Sequence, residues 1–236
     1  MNLTKKKNLV ILTGAGISAE SGVPTFRDSA DGLWHNYKVE DVATATAFRN
    51  NPALVLDFYN ARRQNMMSVM PNEAHKGLVD LETYFNVQII TQNIDQLHEL
   101  AGSTNILHLH GEINKMRTVG NSEELYPITK DIKLGDLGPD GTQWRYSVVM
   151  FEEPVPNMIK AIDIAQEADI FVVIGTSLNV YPAAGLLHDV APDVPKYIID
   201  TKTPSVSNDI LNLTAIEAPA SVGVQRLKEI LLNAEN

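Results

Sequence analysis

Short apolar runs rich in Val and Ile alternate along this chain with stretches that carry helical signals, and this alternation restricts the fold more than any other feature. Such runs are typical of strands that are buried on both faces of a parallel sheet. Parallel neighbours need crossover connections, which are usually helices. The sequence therefore predicts an α/β fold with helices on both faces of the sheet. The predicted strands are residues 8–13, 87–91, 105–109, 169–175 and 196–200, and the predicted helices are residues 52–70, 72–85, 156–168 and 221–232.

Two stretches interrupt this alternation. Residues 26–85 carry helical signals without a strand pattern, which predicts a helical insertion. Residues 112–151 hold two runs of alternating apolar residues on either side of the turn-rich residues 135–141, which predicts a small antiparallel β unit. We expect this unit to form a small lobe beside a nucleotide-binding layer. The apolar residues of the two runs are Tyr126, Ile128, Ile132 and Leu134, followed by Trp144, Tyr146, Val148 and Met150.

The chain has no cysteine, and this absence removes several kinds of site at once. Disulfides, iron–sulfur clusters, thiol nucleophiles and Cys-ligated zinc all need the missing side chain. His108 and His110 do not look like zinc ligands either, because residues 111–187 hold no Cys or His to complete a set. We therefore expect no metal site.

Charge and hydropathy limit the partners of the protein. The formal net charge of -10 disfavours a general nucleic-acid binder, whose affinity would rest on neutralising phosphates. The longest apolar runs, such as residues 170–174, are far too short to span a bilayer. Residues 2–8 are polar and basic, unlike the apolar stretch of a secretion signal. These patterns predict a cytoplasmic protein with no membrane and no direct nucleic-acid partner.

The first predicted strand leads directly into Gly14-Ala15-Gly16-Ile17-Ser18-Ala19, which matches the pattern G-x-G-x-x-G/A. Glycines let a backbone approach phosphate closely, and the start of the next helix presents free N–H groups. The alternative is a tight strand-to-helix turn that binds nothing. A dehydrogenase would carry an acidic residue at the end of a second strand about 20 residues further on. No strand pattern occurs there, so a hydride-transfer enzyme is disfavoured.

Three further groups of polar residues follow predicted strands, at the sheet edge where open α/β folds bind ligands. Gln92-Asn93-Ile94-Asp95 suits recognition of hydroxyl and carboxamide groups, although one of these side chains could instead cap a helix. His108 and His110 would share a face if their strand continues, and a histidine there suits either general base chemistry or a structural role. Gly175-Thr176-Ser177 suits phosphate contact or a simple turn.

Taken together and in this order, these motifs closely resemble the sirtuin family over almost the whole chain. The resemblance implies a Rossmann-type domain of residues 1–27, 86–111 and 152–236. It also implies a small domain formed by a helical insertion, residues 28–85, and a zinc-less β unit, residues 112–151, with NAD as co-substrate in the cleft between the domains. The matching motifs are Gly14-Ala15-Gly16-Ile17-Ser18, Pro24-Thr25-Phe26-Arg27, Gly32-Leu33-Trp34, Thr91-Gln92-Asn93-Ile94-Asp95, His108-Leu109-His110-Gly111-Glu112 and Gly175-Thr176-Ser177.

The resemblance also implies roles for individual residues, with His110 as the catalytic general base. The residues that it implies in NAD binding are Gly14, Ala15, Gly16, Ile17, Ser18, Thr25, Phe26, Arg27, Trp34, Gln92, Asn93, Ile94, Asp95, Gly175, Thr176, Ser177, Asp200 and Ala220. The residues that it implies at the two edges that receive a substrate peptide as an added strand are Val149, Phe151, Val180 and Tyr181.

The implied activity is NAD-dependent removal of acyl groups from lysine side chains of other proteins, with nicotinamide and O-acyl-ADP-ribose as products. The acyl-lysine carbonyl oxygen would attack the ribose as nicotinamide leaves. His110 would then take a proton from the ribose hydroxyls, so that one of them can attack the acyl carbon. A protein ADP-ribosyltransferase of the same fold and a non-catalytic NAD-sensing module stay open as alternatives.

This sequence departs from the family pattern at three points. Many sirtuins hold a structural zinc ion with four cysteines in the small domain, and this chain has no cysteine, so we expect no zinc. Asp200 stands where the family usually has Asn near the adenosine ribose. Glu152 replaces a glycine that is common after the aromatic residue of the first peptide edge. Contacts to the ribose and to the peptide could therefore differ here.

Tyr59 and Arg62 lie three residues apart on the predicted helix 52–70 and so share a face. This spacing resembles the Tyr-x-x-Arg signature of sirtuins that prefer acidic acyl groups, among them a bacterial desuccinylase and deacetylase branch. An arginine fork pairs with a carboxylate, and a tyrosine hydroxyl adds a second donor. The alternative is a surface pair on an amphipathic helix. We predict that both residues bind the acyl group, with succinyl- and malonyl-lysine preferred and acetyl-lysine also accepted.

Overall fold

A computed structural model describes residues 5–25, 37–121 and 123–234 of the chain. Its main feature is a six-stranded sheet in the order β3-β2-β1-β7-β8-β9, in which every neighbouring pair is parallel. The predicted α/β fold is therefore confirmed. The strands of this sheet are β1 (Asn8–Thr13), β2 (Asn86–Thr91), β3 (Ile106–His108), β7 (Ile170–Ile174), β8 (Lys196–Asp200) and β9 (Leu213–Glu217).

The five predicted strands are present, whereas β9 was missed. Only Ile216 of β9 is buried, because this strand forms the outer edge of the sheet. An edge strand with one buried residue lacks the continuous apolar run that reveals a central strand. Predicted and observed helix limits differ by a few residues, as is common where helix ends fray. The helices of the described residues are α1 (Gly16–Ala19), α2 (Val39–Val42), α3 (Ala45–Asn50), α4 (Pro52–Met67), α5 (Glu73–Leu81), α6 (Leu97–Ala101), α7 (Met158–Gln166), α8 (Leu186–Asp189) and α9 (Ala220–Ala234).

Helices cover both faces of the large sheet because successive residues of a strand point to opposite sides. Leu9 and Ile11 of β1 belong to one apolar core, which also contains the buried residues of α5 and α9. Val10 and Leu12 of the same strand belong to a second core, which contains the buried residues of α7 and α8. Strand β1 thus separates two cores, and neither of its faces is exposed to solvent.

Helix α5 lies within the predicted helical insertion, residues 28–85, yet it packs on the large sheet. Ala74, Leu78 and Leu81 are fully buried in the core that contains Leu9 and Ile11. Asn72 caps the helix, accepting a hydrogen bond from the Ala74 N–H at 2.9 Å. The insertion therefore contributes to both layers of the fold, while α2, α3 and α4 pack on the small lobe.

The small lobe contains a three-stranded antiparallel sheet in the order β5-β4-β6, which confirms the predicted β unit. Its central strand β4 was not predicted, because most of its residues are polar and half-buried. The first predicted apolar run forms a strand only at Tyr126–Pro127. The strands are β4 (Gly111–Thr118), β5 (Tyr126–Pro127) and β6 (Trp144–Val148).

The apolar face predicted for the β unit is correct in part. Tyr146 and Ile132 are buried, with 1% and 3% of their surface exposed, and they share a core with α4. Trp144 is half-buried and meets the Tyr126 ring edge-on, with the ring centroids 4.9 Å apart. Leu134 was wrongly placed on this face, since 59% of its surface is exposed. Leu134 comes two residues after Ile132, whose backbone N–H and carbonyl are hydrogen-bonded to the Asn60 side chain of α4. These residues do not form a continuous strand.

Among the described residues, no helix is both long enough and apolar enough to cross a membrane.

The burial of the β unit predicts which aromatic residue stabilises it most. Tyr146→Ala should lower the free energy of unfolding by about 3–5 kcal/mol, because it removes a fully buried ring and leaves a cavity. Trp144→Ala should cost less, since its ring is half-buried. Leu134→Ala is the matched control and should change stability by no more than about 0.5 kcal/mol. Denaturant unfolding of the three variants measures these losses in the free energy of unfolding. A larger loss for Trp144→Ala than for Tyr146→Ala would contradict the prediction.

Candidate functional site

A cleft of about 630 Å³ opens at the carboxyl ends of β1, β2, β7 and β8, between the large sheet and the small lobe. Open α/β sheets bind ligands at this edge. Residues from both lobes line the cleft, and most of the predicted site residues are among them. The predicted residues that line it are Gly14, Ala15, Gly16, Thr25, Tyr59, Arg62, Gln92, Asn93, Ile94, Asp95, His110, Val149, Phe151, Gly175, Thr176, Ser177, Val180, Tyr181, Asp200 and Ala220.

The glycine-rich turn after β1 is packed directly against the end of β7. The Gly14 N–H donates to the Ile174 carbonyl at 3.0 Å, and the Gly16 N–H donates to the Gly175 carbonyl at 2.8 Å. A Cβ on Gly16 would lie 2.6 Å from the Gly175 Cα, and one on Gly14 would lie 2.7 Å from the Thr176 Cβ. Gly175 itself has a φ of 63°, which favours glycine. The glycines are therefore required for backbone packing.

The expectation of free N–H groups at the start of α1 is wrong for three of them. The N–H groups of Gly16, Ile17 and Ser18 donate to the carbonyls of Gly175, Gly14 and Ala15. The Ile17 side chain lies in the core that contains Leu9, on the far side of the turn from the cleft. The turn thus borders the cleft through the small residues 14–16, which leave room for a bulky ligand.

A buried polar group connects this turn to the segment after β2. Asn93 Nδ2 donates to the Gly14 carbonyl and to Ser18 Oγ, both at 3.1 Å. Ser18 Oγ donates in turn to Asp95 Oδ2 at 3.0 Å. Ser18 thus supports two cleft residues from behind and does not itself line the cleft.

Asp95 combines the two roles that the sequence left open. Its Oδ1 accepts a hydrogen bond from the Leu97 N–H at 3.1 Å at the start of α6, and its side chain also lines the cleft. Burial raises the pKa of Asp95, although the hydrogen bonds from Leu97 and Ser18 act in the opposite direction. The carboxylate is therefore positioned on two sides before any ligand arrives.

His110 follows β3 and holds its ring against the backbone of the neighbouring segment. Its Nδ1 lies 3.0 Å from the Gln92 carbonyl oxygen. A carbonyl oxygen only accepts, so Nδ1 carries the proton and the other ring nitrogen, Nε2, carries the lone pair. Burial lowers the pKa of His110, partly offset by the bond to Gln92. The ring is therefore neutral at pH 7 and ready to accept a proton.

His108 has a different environment, and the strand does not continue to His110, which was the condition for the two histidines to share a face. Strand β3 ends at His108, so His110 lies beyond the alternation. His108 Nδ1 lies 3.0 Å from the Asn93 carbonyl and Nε2 lies 2.7 Å from Glu99 Oε1. Burial, the largest single cause, lowers the pKa of His108, but the hydrogen bond and charge of Glu99, the charge of Glu112 and the Asn93 carbonyl together outweigh it and raise the pKa. Both ring nitrogens of His108 are therefore engaged within the protein, behind the cleft.

One cluster among the described residues holds three groups that could bind a metal ion, namely Glu99, His108 and Glu112. Glu99 already pairs with His108, and Glu112 pairs with Lys115 at 2.7 Å. Both carboxylates thus already have hydrogen-bonding partners within the protein.

Tyr59 and Arg62 lie on α4 and line the cleft from the small lobe. The surface-pair alternative is wrong for Tyr59, which is buried with 3% of its surface exposed. The Arg62 guanidinium carbon is 5.8 Å from the centroid of the Tyr59 ring. Burial raises the pKa of Tyr59 and lowers that of Arg62, yet an arginine stays charged at neutral pH. The cleft therefore has a half-buried cation beside a phenol donor.

Two backbone segments form the rim of the cleft on opposite sides. On the small-lobe side, the Val149 N–H donates to the His110 carbonyl, and Phe151 exchanges backbone hydrogen bonds with Ala43 and Ala45. On the other side, Val180 and Tyr181 line the opening, and 72% of the Tyr181 surface is exposed.

Glu152, noted above in place of a family glycine, has a φ of 74° in the region that favours glycine. Its carboxylate accepts hydrogen bonds from the Thr46 N–H at 2.9 Å and from Thr46 Oγ1 at 2.7 Å. These two bonds hold the residue in its strained conformation. Asp200, the other departure, lines the cleft while its Oδ1 accepts from the Lys202 N–H at 3.2 Å.

Comparison with known proteins agrees with this geometry. The family model described as Sir2 family matches residues 14–182. The chain belongs to the Sir2 family. A relative from Bacteroides thetaiotaomicron, named NAD-dependent protein deacylase, is 50% identical over 234 residues that cover 97% of this chain and 99% of the relative. A relative of the same name from Helicobacter pylori is 51% identical over 196 residues, covering 83% of this chain and 85% of its own.

Solved Sir2 structures share the fold as well. A crystal structure of a Sir2 homolog–NAD complex superposes with a TM-score of 0.85 at 33% identity, covering 98% of this chain and 91% of that one. A Sir2 complex with a deacetylated p53 peptide and 3'-O-acetyl ADP ribose has a TM-score of 0.80 at 30% identity, covering 95% and 94%.

Three residues that the sirtuin resemblance implied in cofactor binding, Phe26, Arg27 and Trp34, lie outside the described residues. Other residues of this Sir2 site were not predicted from the sequence. Thr91 Oγ1 accepts hydrogen bonds from the Asn93 N–H at 3.1 Å and from Thr13 Oγ1 at 2.8 Å, so it fixes the segment after β2 from within the core. The available signals were the place of Thr91 at the start of a motif that carries the sirtuin resemblance and the threonine that ends each of two apolar strands.

Proposed function

We propose that this Sir2 protein is an NAD-dependent protein-lysine deacylase that releases nicotinamide and O-acyl-ADP-ribose. The observation that carries the proposal is the state of His110. Its Nδ1–H is held by the Gln92 carbonyl, its ring is neutral, and it borders a cleft large enough for a dinucleotide and a side chain. A neutral histidine with a free lone pair at such a site suits a general base.

The residues around the cleft fit NAD by their chemistry. Gly14, Ala15 and Gly16 would lie along the pyrophosphate, where side chains are too small to obstruct it. Gln92, Asn93 and Asp95 offer amide and carboxylate groups for the nicotinamide and its ribose. The adenosine side would meet the residues at the ends of β7, β8 and β9. Those residues are Gly175, Thr176, Ser177, Asp200 and Ala220.

NAD supplies a ribose carbon from which nicotinamide can leave, and the acyl-lysine oxygen takes its place. The part played by the chain is to hold and move a proton. His110 Nε2 removes a proton from a ribose hydroxyl, and that oxygen then bonds to the acyl carbon. The lysine nitrogen would take up a proton and leave as a free amine as its bond to the acyl carbon breaks. Water would then add its oxygen to the acyl carbon, and the original acyl oxygen would stay on the ribose carbon as a hydroxyl. Asp95 and Asn93 orient the sugar, because their side chains are fixed by Ser18.

Two other activities of the same fold would use the site differently. A protein ADP-ribosyltransferase would release nicotinamide without forming acyl-ADP-ribose, and an NAD-sensing module would bind NAD without turnover. A neutral base at His110 has a use in deacylation and none in sensing. The expected absence of nucleic-acid partners and the cytoplasmic location stay predictions, as do the domain limits.

Matched acetyl-, succinyl- and malonyl-lysine peptides incubated with NAD provide the test of the activity. Mass spectrometry should detect equal amounts of free-lysine peptide, nicotinamide and acyl-ADP-ribose. His110→Ala should lower the rate by about 100-fold or more, because it removes the base, while NAD binding persists. The control His188→Ala changes a histidine elsewhere in the chain and should leave the rate unaltered. Nicotinamide release with ADP-ribose on protein would identify the transferase instead.

The surroundings of Tyr59 and Arg62 favour acidic acyl groups. An anion that enters the cleft meets a half-buried guanidinium, where the lower dielectric strengthens the attraction relative to water. The phenol of Tyr59 stays protonated, because burial raises its pKa, and so it can donate a hydrogen bond. We propose succinyl- and malonyl-lysine as preferred substrates, with acetyl-lysine as a weaker one.

Arg62→Met should separate recognition of the carboxylate from the chemistry that all acyl groups share. The loss on succinyl peptides should be about 2 kcal/mol or more in kcat/KM, since a charge-assisted pair disappears. Acetyl peptides should change far less. Arg226→Met, which removes an exposed cation on α9, is the matched control and should affect neither peptide. Equal losses on both peptides would assign Arg62 to the integrity of the cleft.

The small lobe should hold no structural zinc. The chain lacks cysteine, and its β unit has a packed core that includes Ile132, Tyr146 and Val148. Buried apolar groups and hydrogen bonds can take over the stabilising role of a metal. Elemental analysis of purified protein should give no stoichiometric zinc, and a chelator should change neither the melting temperature nor the activity. Activity that a chelator removes and zinc restores would contradict the proposal.

A further inference from the structure

Helix α4 presents two neighbouring faces with different partners. Tyr59 and Arg62 point to the cleft, whereas Asn60 and Arg63 point to the small lobe. Residues one apart on a helix lie about 100° apart, so the two pairs occupy adjacent sides of the same turns. Any contact that fixes the position of Asn60 and Arg63 therefore also fixes that of Tyr59 and Arg62.

Asn60 is the main contact of the second face. Its Nδ2 donates to the Ile132 carbonyl at 2.9 Å, and its Oδ1 accepts from the Ile132 N–H at 3.0 Å. The side chain therefore pairs with the backbone of residue 132 as a neighbouring strand would. Oδ1 also accepts a hydrogen bond from Tyr146 Oη at 2.6 Å. Asn60 is buried, with 7% of its surface exposed, so these bonds form away from water.

Tyr146 carries the connection back toward the cleft. Its ring lies 5.6 Å from the Tyr59 ring, between centroids, and it is the largest fully buried side chain of the small lobe. Burial raises the pKa of Tyr146 to about 12, so the hydroxyl stays a donor at neutral pH. Asn60, Tyr146 and Tyr59 thus form a continuous buried set.

Asp131 provides a second attachment next to the first. It accepts from Arg63 Nη2 and from Gln64 Nε2, each at 2.9 Å. This attachment is nearer to solvent, with 37% of the Asp131 side chain exposed, and such pairs contribute little to stability. The buried amide of Asn60 is therefore the stronger restraint.

We propose that Asn60 is a specificity-determining positioning residue, which sets the place of Tyr59 and Arg62 by attaching α4 to residue 132 and Tyr146. Apolar packing is not directional, so on its own it would let α4 shift by fractions of an ångström. Three hydrogen bonds on one amide remove that freedom, because they require specific distances and angles. The proposal rests on the proposed function and on its preference for acidic acyl groups.

A shift of α4 should affect only substrates whose acyl group carries a carboxylate. Recognition of a carboxylate by a guanidinium and a phenol needs a donor geometry held to about 0.5 Å. An acetyl group has no carboxylate and needs only room in the cleft. Loosening α4 should therefore weaken succinyl turnover and spare acetyl turnover, although Asn60 touches neither peptide.

The test measures kcat/KM on succinyl- and acetyl-lysine peptides of one sequence. Asn60→Ala should lower the ratio of succinyl to acetyl activity by about tenfold, mainly through KM for the succinyl peptide. Tyr146→Phe removes one hydrogen bond and keeps the ring against Tyr59, so it should lower the ratio by a smaller factor. Asp57→Ala, at an exposed position of α4, is the control and should leave the ratio unchanged. Should Asn60→Ala fail to fold, Tyr146→Phe decides the outcome.

Combination with Arg62→Met separates positioning from general support of the fold. In the Arg62→Met background no guanidinium binds the acyl carboxylate, so Asn60→Ala should not lower the ratio of succinyl to acetyl activity further. If Asn60→Ala and Tyr146→Phe reduce both activities by one factor, the positioning role is overturned while the acyl preference stands. If the wild-type protein lacks a succinyl preference, the proposed function fails in that respect and the inference fails with it.

Discussion

The close approach of the Gly14–Gly16 turn to Gly175 is the constraint on which the rest of the site depends. Two backbones meet here at a separation that no Cβ permits, since one on Gly175 would lie 2.4 Å from the Ile17 nitrogen. The hydrogen bonds from Gly14 and Gly16 to the end of β7 extend the pairing of two central strands beyond the sheet. The ends of β1 and β7 therefore form one continuous border of the cleft. A larger residue at any of these glycines would push the ends of β1 and β7 apart and disrupt this border of the cleft.

Polar residues that face the cleft are positioned by partners behind it. Asn93 and Asp95 share Ser18, and the backbone before them is held by Thr91. The carbonyls of Gln92 and Asn93 meet the rings of His110 and His108. These side chains thus have partners within the protein before a ligand arrives, which limits the reorganisation that binding requires. The pKa values of the two histidines shift in opposite directions, because only His108 has a carboxylate on its second nitrogen.

The small lobe controls the other wall of the cleft through directional contacts. Arg145 lies under the rim segment, where it pairs with Glu153 at 2.6 Å and donates to the Val148 carbonyl at 3.0 Å. Glu153 in turn accepts from the Met150 N–H at 2.8 Å. This partly buried ion pair fixes the turn that follows β6, where Val149 and Phe151 border the cleft. The packing of the β unit therefore also determines the shape of the rim at Val149 and Phe151.

The sequence by itself determined the layered α/β fold, the glycine turn and the position of His110 close to the end of a strand. These features are local, because they depend on the order of apolar runs and on residues that are adjacent in the chain. The edge strand β9 and the polar strand β4 were beyond such reasoning, since only their neighbours make them strands. Only the tertiary structure decided that His108 is paired and His110 is a neutral base, and that Asn60 is bonded to residue 132. Each of those facts depends on a contact between residues that are 9 to 72 positions apart in the chain, which no local sequence pattern predicts, and burial and hydrogen bonding at such contacts set pKa and position.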